Sequence, residues 1–194
     1  MRTCAKALDS DDTITVVDAG DRCYECFNVE MADRLGISFD ASNFHPVVVN
    51  DVDGVPHTFQ IRSTLVPTGH EMEAFEIPRR EQGGYRFAVL ADSEIDSWEP
   101  FKRLYEKMRR ELSTRHREPT THGWRIGPDQ RLVGRIEGDT ATAGRTPLLV
   151  IDGRPFTWDE VGRMFMTFEG FTLDARIEGT IELVDAKPQP RGDT

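Results

Sequence analysis

The sequence predicts an α+β fold: a small amino-terminal finger-like module of β-hairpin plus helix, then a mainly antiparallel sheet domain with two amphipathic helices. Three observations carry this expectation. Short β-branched runs separated by turn pairs recur along the chain, as hairpins require. Only two stretches beyond residue 40 carry a long helical apolar stripe. Strands and helices do not alternate regularly, which separates the chain from doubly wound βαβ folds.

Taken in order, "DTITVVD" (12–18) is a short β-type run with "AGD" as its turn. From Cys26 the pattern turns helical: Phe27, Met31 and Leu35 recur every four residues, and Gly36 stands where a helix-terminating glycine belongs. "HPVVVND" and "VPHTFQIRS" flank the turn pair Asp53-Gly54. "EMEAFEIP" and "YRFAVLAD" flank "QGG" as a second hairpin. The clearest helix covers 97–113, with Phe101, Leu104, Tyr105, Met108 and Leu112 on one face, Asp96 or Ser97 as cap, and Pro100 tolerated in the first turn.

"RHREPTTHG" (115–123) reads as a polar break, an internal boundary near 114–124. Strands are expected at 131–137 and 147–152, with a mobile "GDTATAG" between them. Thr157 and Glu160 form a T-x-x-E capping box before a helix whose buried stripe is Val161, Met164, Phe165 and Phe168, with Gly170 closing it and Trp158 left partly exposed. "FTLDARIEGTIELV" (171–184) returns to strand alternation. The tail 186–194, with two prolines and no apolar anchor, is expected to be disordered. The units are thus 1–40, 41–185 and the tail.

At 194 residues, with 38% hydrophobic and 30% charged residues, the chain is polar yet holds eleven Phe and three Trp, enough for a packed core. Its net charge is −10, and residues 1–60 hold 11 acids against 4 bases. Such an amino-terminal part repels phosphate backbones, which disfavours nucleic acid as a partner. No apolar run approaches the roughly 18 residues of a membrane helix. The opening "MRTCAKALDSDD" has no apolar stretch of the signal-peptide kind, so a cytoplasmic location is expected.

Three cysteines, an odd number, argue against a disulfide framework. Cys4-x2-Ala7, fifteen residues, then Cys23-x2-Cys26 matches a C-x2-C-x15-C-x2-C zinc spacing with alanine in one ligand position. A hairpin followed by a C-x-x-C at a helix start resembles a treble-clef or zinc-ribbon-like finger, and also uncharacterised bacterial proteins that place such a finger before an α+β domain. The resemblance implies Cys4, Cys23 and Cys26 as metal ligands. Asp9, Asp11, Asp12, His45 or a water is the candidate fourth ligand. A structural role fits better than a catalytic one, because nothing acid–base stands beside the cysteines. A drifted, metal-free finger with buried cysteines is the competing expectation. A thioredoxin-like redox reading is disfavoured because only 22 residues precede Cys23 and hold one short strand.

Elsewhere the signals are weaker. "GHEME" sets His70 near Glu71 and Glu73, the least poor acid–base cluster in the chain. No H-E-x-x-H, G-x-S-x-G, G-x-G-x-x-G or Walker A occurs. Lys102, Arg103, Lys107, Arg109, Arg110, Arg115 and Arg117 concentrate base on and beyond the first long helix, where a solvated face with i,i+4 pairs is the leading expectation. The expected function is therefore an interaction or adaptor protein with a structural finger, binding a protein or small molecule. The alternative is a hydrolase-type enzyme using His70, Glu71 and Glu73.

Overall fold

The computed structural model describes residues 13–16, 20–39, 41–78 and 82–184. Strands β1 (Thr13–Val16) and β2 (Gly20–Cys23) form an antiparallel hairpin that runs straight into helix α1 (Tyr24–Leu35). Gly36 closes α1 in the left-handed conformation, with its N–H on the Ala32 and Asp33 carbonyls, as its position predicts.

The main sheet has five strands in the order β12-β6-β5-β4-β3: β3 (Val47–Asn50), β4 (Pro56–Val66), β5 (Gly69–Ile77), β6 (Arg86–Ala91) and β12 (Ile181–Val184). Neighbours are antiparallel except β12, which lies parallel to β6. Along β4 the side chains of Phe59, Ile61, Ser63 and Leu65 are buried and their neighbours less so, the period of two that a sheet with one covered face requires. The cover is helix α2 (Trp98–Leu112), whose Leu104, Met108 and Leu112 pack on Phe59, Ile61, Met72, Ala74, Phe87 and Val89. Asp96 caps α2 by accepting the Trp98 N–H at 2.8 Å, and Pro100 sits buried in the first turn.

A second, smaller layer follows. Hairpin β7 (Arg117–Thr120) and β8 (Gly123–Ile126) precedes the three-stranded sheet β11-β10-β9, with β9 (Arg135–Gly138), β10 (Pro147–Ile151) and β11 (Arg154–Thr157). Helix α3 (Trp158–Phe165) packs on it, joining Val161 and Met164 to Ile126, Ile151 and Phe156. Its Thr157–Glu160 capping box forms as the sequence predicts, and Trp158 is exposed.

Five local expectations are corrected. On α1 the buried residues are Asn28 and Ala32, whereas Leu35 is exposed, because the helix lies along a strand edge that needs a polar group. The stretch 115–123 is a hairpin arm: Arg117 lays its guanidinium 4.3 Å from the centre of the Trp124 ring. "GDTATAG" is a tight 3-10 turn in which Asp139 accepts the Ala141 N–H at 2.9 Å. Arg154–Thr157 is a strand where the sequence predicts no element. Of the alternating run 171–184, only 181–184 pairs with the sheet. Among the described residues no helix is long and apolar enough to cross a membrane. The tail 186–194 lies outside the described residues.

Candidate functional site

The cysteine pair occupies the junction of β2 and α1. Cys23 is the last residue of β2 and the N-cap of α1, and its sulfur accepts the Cys26 N–H at 3.4 Å. Cys23 is buried and Cys26 half-buried. A sulfur that accepts a backbone N–H in a C-x-x-C turn is the local geometry a thiolate ligand needs, since the amide offsets its negative charge. Cys4, Ala7, Asp9, Asp11 and Asp12 lie outside the described residues. His45 is exposed and next to Phe44, which stacks on Phe101 of α2 at 4.4 Å. Among the described residues no three His, Cys, Asp or Glu side chains converge on one point.

The helix that carries this pair is fastened to the sheet by its buried Asn28. Strand β3 covers β4 only as far as Phe59, and among the described residues no strand pairs with the β4 edge beyond. There Asn28 donates its amide to the Ser63 carbonyl at 3.0 Å and accepts the Leu65 N–H at 2.8 Å, replacing the missing strand. Tyr24 continues the attachment over the sheet's other face. Its hydroxyl accepts from Arg62 at 3.0 Å, and the Arg62 guanidinium lies 4.0 Å from the Tyr24 ring centre and 4.5 Å from that of Phe75. Asn28 and Arg62 were not singled out from the sequence. The available signal was a helix-interior asparagine amid Phe27, Val29 and Met31, where asparagine is a poor helix former.

The His70, Glu71 and Glu73 cluster does not assemble. On β5 alternate residues face opposite sides. His70 points with Met72 and Ala74 to the face covered by α2, and Glu71 and Glu73 to the other. Glu73 is buried and bonds Arg86, with Arg62 at 3.9 Å. Glu71 is held above the usual carboxylate range, first by burial and then by the Glu73 carboxylate, against the pull of Arg86.

His70 is 1% exposed, meets the edge of the Phe39 ring at 4.9 Å, and has no hydrogen-bond partner for either ring nitrogen among the described residues. Burial lowers its pKa to about 4. Because the folded value lies below the unfolded one of about 6.5, the unfolded chain binds more protons between the two. The stability tied to neutral His70 is therefore complete above pH 6.5 and lost as the pH falls towards 4, on the order of 3 kcal/mol. His70→Leu is expected to abolish that loss and to be neutral or stabilising at pH 7, since it removes two buried polar atoms. Urea denaturation at pH 7 and pH 4.5 checks both; a marked loss at pH 7 would show that the imidazole is needed.

Two further groups look chemical and are occupied structurally. His57 sits between carboxylates, Nδ1 at 2.7 Å from Glu76 and Nε2 at 3.4 Å from Asp51. Asp51 also takes the Asp53 and Val55 N–H groups of the turn, and Glu76 the Tyr85 N–H. Tyr85 lies beside the Gly84 N–H to Gly153 carbonyl bond (2.8 Å) that joins the two layers. The basic residues on and beyond α2 are largely used inside the chain. Arg103 and Arg110 pair with Glu182 of β12, Lys107 donates to the Ala88 and Thr180 carbonyls, Lys102 pairs with Glu99, Arg115 with Asp53 and Arg117 with Asp152.

Residues 41–113 match the model of a domain of unknown function, DUF7686, and residues 114–181 that of another, DUF7713. The first match spans β3 to α2 and the second runs from just before β7 to the first residue of β12. The hairpin and α1, with the cysteine pair, precede both. No curated protein and no solved structure matches the chain.

Proposed function

We propose that the chain is an interaction protein whose β1–β2 hairpin and α1 form a structural zinc finger with Cys4, Cys23 and Cys26 as ligands. The observation that carries this reading is the placement of Cys23 and Cys26 on the hairpin–helix junction, with the Cys26 N–H on the Cys23 sulfur. Two thiols within one turn are the donor set zinc prefers, and zinc would supply a tetrahedral cross-link between the start of the chain and α1. Around it, this chain's own residues do the positioning: Asn28 and Tyr24 hold the helix against the sheet, so the finger presents a fixed surface for a protein or small-molecule partner. The hydrolase alternative finds no support in a His70 and Glu71/Glu73 set divided between two faces of β5.

Hydrogen exchange with and without a zinc chelator tests the reading. Chelation is expected to raise exchange across 20–35, and at the Leu65 amide that Asn28 holds, while the amides of β5 and β6 keep their protection. Unchanged exchange in 20–35 would overturn it.

A further inference from the structure

Residues 171–180 form a segment without regular structure, exposed along its whole length. Phe171 is 70%, Leu173 66% and Ile177 82% exposed. Between these apolar residues stand Thr172, Asp174, Arg176 and Glu178, a strict period of two that is the signature of a strand with one apolar face. Arg176 Nε meets Glu178 Oε1 at 2.7 Å, so these side chains two residues apart share one side, as in extended chain. The backbone groups of 172–179 make no hydrogen bond with the backbone of other described residues. The segment is anchored at its far end, where the Thr180 carbonyl accepts from Lys107 at 2.6 Å. It is a strand in pattern that lacks a neighbour among the described residues.

We infer that residues 171–179 pair antiparallel with the same segment of a second copy of this chain, about a two-fold axis at Ala175. The sequence is complementary to itself in this register. Asp174 of each copy faces Arg176 of the other, Leu173 faces Ile177, Thr172 faces Glu178 and Phe171 faces Gly179. Shifting the axis by half a residue sets apolar side chains against charged ones. Moving it to residue 174 or 176 puts Asp opposite Asp or Arg opposite Arg, which is destabilising. The Ala175 register also leaves β12 and its pairing with β6 untouched. The partner is thus a second copy in an isologous contact, each patch meeting itself.

Sedimentation velocity over a range of concentrations tests this. The wild-type chain is expected to pass from monomer to dimer as concentration rises, and Ile177→Lys to raise the midpoint at least tenfold. Asp174→Arg and Arg176→Asp should each weaken the dimer, and the double variant should restore it, because the swapped charges face each other again. An Ala175→Cys variant, oxidised and mapped by mass spectrometry, should give a link between the two copies of residue 175, whose Cα atoms stand about 4.5–5.5 Å apart in such a pair. These positions are exposed, so the variants fold, which circular dichroism verifies. A chain that stays monomeric, a double variant no better than either single one, or a dimer without the 175–175 link would overturn the inference.

Discussion

Gly69→Ala is expected to destabilise the protein by about 3–5 kcal/mol, combining backbone strain with overpacking between paired strands. Gly69 follows the tight turn between β4 and β5, opposite Val66, with φ +142°. A Cβ there would lie 2.2 Å from the Ala91 carbonyl oxygen of β6. That oxygen is backbone, so relief requires the strands to part where His70 and Leu65 are buried. Gly54→Ala is the control: its φ of +78° carries the conformational cost, but a Cβ there meets nothing within 4 Å. Urea denaturation should find Gly54→Ala milder by at least about 2 kcal/mol; equal losses would refute the close-contact account.

Asn28→Ala is expected to cost about 2–4 kcal/mol, since it leaves the Ser63 carbonyl and the Leu65 N–H buried without their partner. Asn28→Asp should be nearly as harmful. It keeps an acceptor for Leu65 but sets a carboxylate oxygen against the Ser63 carbonyl in place of a donor. The loss should fall on the attachment of α1: amides of 24–35 should exchange faster, and Cys23 and Cys26 should react sooner with a thiol reagent, before β5 and β6 are affected. Thiol kinetics followed beside urea denaturation would separate this from uniform loosening, which would count against α1 as the cover of the β4 edge.

The pattern of these residues explains how much of the molecule was legible in its sequence. The β3–β4 and β5–β6 hairpins of the first sheet, α2 and the capped α3 announce themselves through turn residues, a period of 3.6 and a capping box, whereas the β4–β5 hairpin, with Pro67 and Thr68 in its turn, does not. These signals depend on neighbours in the chain. What escaped depends on partners far away. Asn28 is buried because β3 is short, and nothing near residue 28 reveals the length of a strand 19 residues on. The α1 stripe reads as Phe27, Met31 and Leu35, because apolar spacing cannot show that the helix lies on a strand edge. His70 and its two glutamates look like a cluster in one dimension and fall on opposite faces once the segment is a strand. The run 171–184 reads as alternating strand, yet among the described residues only its last four find a strand to pair with. The cysteine pair was legible as a turn at a helix start, and its structural setting agrees. The remainder of that ligand set, Cys4 included, lies outside the described residues.

The central claim, a three-thiolate structural finger on the β2–α1 junction, is tested most directly by metal content measured together with thiol titration on the purified full chain. Near one zinc per chain is expected, with the three cysteines slow to react until a chelator is added and the zinc lost from Cys23→Ser. Metal-free protein whose three thiols titrate at once, with or without chelator, would contradict it.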